Sequence, residues 1–269
     1  MKNKVVLITG GSSGIGLAIG TFLSQKGYTV YGTSRNPENN KDFSAFKLLK
    51  LDVCNRQSIV SATAQLQQLE GRIDILINNA GVGITGPIEE TPEEEVQKAF
   101  DTNLHGPLAM IQEVLPIMRQ QGSGLIINIT SIAGYMGLPY RAYYSASKGA
   151  LELMTEALRM ELKDFNIQCT SVAPGDFATN IAAGRYHAPI SEQSPYRDAY
   201  SNTLRLMDQH VDAGQDPIRV AEKVYRVIQT KRPKVHYRVG SPLQKFSLVL
   251  KSILPDKLYE RLLINHYKL

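Results

Sequence analysis

The stretch Val5-Val-Leu-Ile-Thr9-Gly10-Gly11-Ser12-Ser13-Gly14-Ile15-Gly16 decides the fold. Its first four residues are aliphatic and three of them are β-branched, which reads as a strand buried on both faces. A glycine-rich turn follows, and a helical pattern then runs over Ile15–Lys26 and closes at Gly27. Strand, glycine turn and helix in that order make a cradle for phosphate. The glycines let the backbone approach a pyrophosphate, while the helix start offers unpaired N–H groups and a positive dipole. Gly10, Ser12, Ser13, Gly14, Ile15 and Gly16 are therefore the expected pyrophosphate residues. Their spacing is Gly-x-x-x-Gly-x-Gly, which differs from the usual Gly-x-Gly-x-x-Gly fingerprint.

Outward from this turn, short apolar runs alternate with longer amphipathic segments. Strands are expected at Val5–Thr9, Tyr28–Thr33, Lys47–Leu51, Ile73–Asn78, Leu125–Thr130 and Ile167–Val172, with helices near Arg56–Glu70, Pro92–Met118 and Ala142–Asp164. Such alternation specifies an α/β fold, a Rossmann-like doubly wound parallel sheet with helices on both faces. Pro116 is expected to kink or end its helix. A polar, turn-rich stretch over 174–217 reads as a substrate loop. A helix near Pro217–Thr230 and a strand near Lys234–Val239 then complete a domain spanning 1–240. Residues 241–269 form an amphipathic helical extension interrupted by Pro255.

With 43% hydrophobic and 20% charged residues, the 269-residue chain can bury the core of one large domain. The net charge of +5 is scattered among acids and gives no support for nucleic-acid binding. Cys54 and Cys169 read as buried, inert thiols of a reducing compartment, and no metal site is expected. No signal-peptide pattern is visible, so a cytoplasmic location is expected.

After the second strand stands Thr33-Ser34-Arg35, where an NAD site would carry an acid for the ribose hydroxyls. A cation beside hydroxyls suits a 2′-phosphate, which points to NADP(H). The alternative for Arg35 is a solvated surface residue. Asp52, followed by Val53, is placed either to accept from an adenine amino group or to cap the next helix.

Tyr144 and Lys148 open a helical segment four residues apart, one turn along one face. A phenol is a weak base at neutral pH, and a neighbouring ammonium favours its charged form. Ser131 can donate and accept, and so hold a substrate oxygen. By itself the pair is an ordinary surface contact; the phosphate loop upstream gives it meaning.

These motifs in this order, with Asn78-Asn79-Ala80-Gly81, Asn103, and Pro174-Gly175 with Thr179, resemble the short-chain dehydrogenase/reductase superfamily over residues 4–240. The string Ser131–Pro139 and the tail are most similar to 17β-hydroxysteroid dehydrogenases of the type 1 kind and to retinol dehydrogenase-like members. The resemblance implies that Tyr144 is the acid or base at the carbonyl or alcohol oxygen. Lys148 would assist it and bond the nicotinamide ribose, and Ser131 would orient the carbonyl. Asn103 would hold a water linking Lys148 to solvent. Asn79, Ala80 and Gly81 would lie along the adenosine ribose and pyrophosphate, and Pro174, Gly175 and Thr179 beside the nicotinamide. A homodimer or homotetramer is implied, paired through the helices near Pro92–Met118 and Ala142–Asp164.

For the small-molecule carbonyl or alcohol, Tyr135, Met136, Leu138, Phe177, Ile181 and Tyr186 supply apolar and aromatic contacts, and a steroid-like or long-chain substrate is expected. The tail sets apolar stripes beside Lys245, Lys251, Lys257 and Arg261. It is expected to cover the pocket or an interface rather than to lie on a membrane. Rival readings are a silent NADP(H)-binding module, a reductase of small polar carbonyls such as sugars or 3-ketoacyl groups, and a dehalogenase or lyase. Intact Asn103, Ser131, Tyr144 and Lys148 argue against the first, and the intact glycine loop and Lys148 argue against the last.

Overall fold

The computed structural model describes residues 3–39, 42–177, 184–212 and 214–269. β1 (Val5–Ile8) leads through the glycine turn into α1 (Gly14–Gln25), β2 (Thr29–Ser34) and β3 (Lys47–Lys50). Next come α2 (Arg56–Glu70), β4 (Ile75–Asn78), β5 (Ile84–Thr85), α3 (Glu93–Phe100) and α4 (Gly106–Gln121). β6 (Gly124–Ile129), α5 (Ala142–Glu161), β7 (Ile167–Pro174), β8 (Tyr186–His187) and α6 (Arg197–Asp212) follow. The chain continues through α7 (Ile218–Gln229), β9 (His236–Val239), α8 (Pro242–Ile253) and α9 (Asp256–Tyr267).

Among the described residues, seven strands form one parallel sheet in the order β3-β2-β1-β4-β6-β7-β9. Alternation along β1 divides the core. Val5 and Leu7 face a cluster with Ile59 and Leu66 of α2 and Met110 and Val114 of α4. Val6 and Ile8 face another with Ile19 and Leu23 of α1 and Val220 and Val224 of α7. Strand order reverses between β1 and β4, so the loops leaving these strands diverge and open a crevice at their carboxyl ends.

Several expectations change in detail. The long helix expected over Pro92–Met118 is two helices joined by a π-helical turn, Asp101–His105. Pro116 neither ends nor delimits α4, which continues to Gln121 and stops at Gly122 in a left-handed conformation. Lys26 caps α1, and Gly27 is the next residue, with φ +83°. Only Cys169 is a buried thiol, which burial pushes up to about 12; Cys54 is exposed. Within the substrate loop, β8 pairs in parallel with β5, aligning Ile84 with Tyr186 and Thr85 with His187.

The tail forms two helices, as expected. Leu248 of α8 and Tyr259 of α9 are buried against Ile132 and Met136, and Tyr259 Oη donates to Met136 Sδ at 2.9 Å.

Candidate active site

At the crevice, the turn after β1 is shaped by close approach. Gly10 and Gly14 have φ of +64° and +52°, a region favouring glycine. A Cβ on Gly16 would collide with the carbonyl oxygen of Gly10 and with Asn79 Nδ2. Asn79 Nδ2 donates to the carbonyls of Thr9 (2.9 Å) and Gly10 (3.0 Å). Its amide group thus staples the loop from the end of β4, a role not visible from spacing alone. Thr9 Oγ1 accepts from the backbone N–H groups of Asn79 and Ala80. Ser13, the N-cap of α1, makes no side-chain capping bond, and the first turn holds no acid. Ser12, Ser13, Ile15 and the surrounding backbone therefore present donors with no built-in anion, a good fit to a pyrophosphate.

Arg35 is exposed just past β2, and Ser34 Oγ accepts from Asn36 N–H at 3.3 Å. Asp52 does not cap α2. Asn55 does so through Ser58 N–H, while Asp52 Oδ1 accepts from Cys54 N–H at 3.0 Å. Val53 is buried against Gly106, where a Cβ would lie 2.9 Å away.

The candidate reacting groups come from β6, the turn after it, and α5. Ser131 caps the short 3-10 turn Ile132–Tyr135, with Oγ accepting from Ala133 N–H and donating to Pro174 O. Tyr144 and Lys148 lie one turn apart on α5, 9% and 4% exposed. Lys148 Nζ donates to Ile129 O at 3.1 Å. Burial lowers the Lys148 ammonium to about 8, opposed by the charge of Glu152 one turn further on. Glu152 accepts from Thr130 and Ser171 hydroxyls and faces His236 Nδ1 at 2.7 Å; His236 Nε2 meets Glu156 at 3.0 Å. A cation also stands over the phenol, with Arg141 Cζ 5.3 Å from the Tyr144 ring centroid.

Two glycines that the sequence reading passed over set this geometry. A Cβ on Gly149 would sit 2.8 Å from Gly134 O, and one on Gly134 would sit 2.9 Å from the carbonyl carbon of Lys148. The Ser131 turn thus packs directly on the α5 backbone at Lys148. A glycine inside a strong helical pattern was the available signal.

Asn103, fully buried in the π-helical turn, exchanges bonds with Val82: Oδ1 accepts from its N–H and Nδ2 donates to its carbonyl, both at 2.9 Å. Nδ2 also meets Ser147 Oγ at 3.2 Å. A Cβ on Gly81 would come within 3.1 Å of Asn103 Oδ1 and 3.2 Å of Lys148 Nζ, so Gly81 leaves the approach to both groups open.

Pro174 ends β7, and Gly175, the next residue, lies against Gln244 of α8. Leu138 and Tyr186 pack around Tyr144 and Ile84. Tyr135 instead turns toward β9, with Arg238 Cζ 4.8 Å from its ring, and Met136 receives the tail. Phe177 joins the core cluster of α1 and α7. Thr179 and Ile181 lie outside the described residues. A small cavity lined by Gly83, Ile84, Arg141, Tyr144 and Arg185 adjoins the phenol. Nearby, a cleft of about 500 Å³ is lined mainly by apolar and aromatic residues, among them Pro87, Ile88, Leu138, Pro139, Tyr140 and Leu269.

The family model described as short chain dehydrogenase matches residues 4–189. The chain belongs to the short-chain dehydrogenase family. It is thus an oxidoreductase of alcohols and carbonyls, in a family that uses a nicotinamide cofactor. Among relatives of this short-chain dehydrogenase, a 3-ketodihydrosphingosine reductase of Bacteroides thetaiotaomicron is 39% identical, with 97% of this chain and 96% of that protein aligned. Human retinol dehydrogenase 8 is 32% identical over 91% of this chain and 85% of its own. A solved short-chain dehydrogenase from Streptomyces avermitilis superposes with a TM-score of 0.82 at 30% identity, covering 100% of this chain and 97% of the other.

Proposed function

We propose that this short-chain dehydrogenase is an NADP(H)-dependent reductase of a lipophilic, long-chain or steroid-like ketone. The observation that carries the reading is the buried Tyr144–Lys148 pair, with the Ser131 turn packed on α5 at Lys148; Leu138, which packs with Tyr144, also lines the mainly apolar cleft. The cofactor supplies the hydride. Tyr144 holds the proton destined for the carbonyl oxygen, and Ser131 Oγ orients that oxygen. Lys148 is a buried cation whose field favours the phenolate left after proton transfer. Asn103 fixes the Val82 backbone beside Lys148. Gly10, Ser12, Ser13, Gly14, Ile15 and Gly16 would hold the pyrophosphate, and Arg35 with Ser34 the 2′-phosphate.

The cleft favours a flexible apolar chain, and the relative acting on 3-ketodihydrosphingosine supports a long-chain ketone. Assembly as a homodimer or homotetramer through α5 is part of the proposal, since Leu153 and Met160 of that helix are 67% and 68% exposed. The exposed thiol of Cys54 suits a reducing cytoplasm. The test is NADPH oxidation against a panel of long-chain 3-ketones, steroids, retinal, sugars and 3-ketoacyl thioesters. Highest kcat/KM on a long-chain ketone or steroid is expected. Preference for sugars, or no turnover of any carbonyl, overturns the reading.

A further inference from the structure

α8 is apolar on two opposite sides. Its inner side carries Leu248, 5% exposed in the cluster with Ile132, Met136 and Tyr259. Its outer side carries Leu243, Phe246, Val249 and Ile253, exposed by 72%, 53%, 45% and 67%. At about 100° per residue these four span an arc of about 120°, centred opposite Leu248. A helix that needed only to cover the site would turn polar residues outward along this arc. α9 likewise buries Tyr259 and Tyr267 while exposing Leu258 and Leu262.

Charge identifies the occupant of this face. Residues 241–269 hold five lysines and arginines against two acids. Lys245 flanks the apolar arc of α8, and Lys257 and Arg261 flank Leu258 and Leu262 on α9. Two copies meeting across the patch would bring these cations together, whereas an anionic lipid surface would neutralise them. No helix among the described residues is long and apolar enough to cross a membrane. The fitting mode is an interfacial helix lying in the headgroup region.

We propose that the outer faces of α8 and α9 dock the protein on an anionic lipid bilayer. Leu269, which follows α9, lines the cleft together with Leu138 and Ala142. Docking would therefore bring the cleft to the source of a lipophilic substrate, a consequence that rests on the function proposed above. Docking itself does not need that function.

The test is flotation of the full chain with vesicles of phosphatidylcholine alone and with 30% phosphatidylglycerol, alongside sedimentation velocity without lipid. Floating with the anionic vesicles is expected, weakened at least tenfold by 0.5 M salt or by Lys257→Glu with Arg261→Glu. Leu243→Ser with Phe246→Ser should abolish it while leaving the melting temperature unchanged, because both side chains are exposed. Failure of the wild-type chain to float overturns the proposal. So does self-association that the serine variants dissolve when no vesicle binding is seen, which would give the face to a second copy. Turnover of detergent-solubilised ketone is scored separately, so loss of the enzymatic reading and loss of docking are distinguishable.

Discussion

Lys148 and Glu152 stand one turn apart on α5, and each is only 4% exposed. Burial disfavours the ammonium and the carboxylate opposes that effect, which leaves Lys148 at about 8 rather than 10.5. Between these values the folded, cofactor-free protein binds fewer protons than the unfolded chain, so the contribution of Lys148 to stability rises as pH climbs through the window. The penalty below pH 8 is on the order of 3 kcal/mol. Lys148→Met should therefore gain stability at pH 7, and its advantage over wild type should shrink between pH 8 and 10.5. Urea titrations at several pH values check this, and a constant difference would contradict it.

Glu152→Gln removes the charge that supports the Lys148 ammonium. The alkaline limb of the kcat/KM profile should move to lower pH. Glu156→Gln, on a residue separated from Lys148 by Glu152 and His236, should move it less. Full pH profiles decide, and unmoved limbs in both variants would mean that Glu152 does not support the ammonium during turnover.

Tyr144→Phe should lower kcat by about a hundred- to ten-thousand-fold, the usual worth of a positioned acid or base, with NADPH binding retained by fluorescence titration. Tyr143→Phe should keep measurable turnover, because Tyr143 Oη donates to Ile88 O at the cleft rim. The reverse ranking would reassign the acid.

Gly149→Ala should collapse activity although alanine favours helix, because its methyl would meet Gly134 O at 2.8 Å. The displaced turn carries Ser131, so kcat should fall by more than tenfold while α-helical circular dichroism stays intact. Normal kcat would show that the contact yields freely.

Arg35→Asp should reverse coenzyme preference, costing at least tenfold in kcat/KM for NADPH and improving use of NADH. Measured ratios for both coenzymes are the check; an unchanged ratio would make Arg35 a solvated surface residue.

What could be read ahead of the structure followed from periodicity. β1, the glycine turn and α1 were legible because burial on both faces and a change of period occur within a dozen residues. Tyr144 and Lys148 were legible because a helix maps spacing onto a face. The π-helical turn at Asp101–His105 was not, since one extra residue per turn leaves no mark in composition. Nor was the contact of Gly134 with Gly149, which is tertiary. The substrate contacts were the least legible. In an irregular turn, Tyr135 and Leu138 both pack against the tail cluster, yet only Leu138 also reaches the cluster of Tyr144, and only tertiary packing reveals this.

Ile129, Thr130 and Ser131 are consecutive, and they address in turn the Lys148 ammonium, the Glu152 carboxylate and the position proposed for the substrate oxygen. One strand end and one helix therefore carry the atoms proposed for the reaction, while Pro87, Ile88, Glu89, Tyr196 and Leu269 bring cleft walls from elsewhere in the chain. Exchanging those pieces between homologous enzymes should transfer the choice of substrate without rebuilding the chemistry, which makes the scaffold a chassis for grafted recognition.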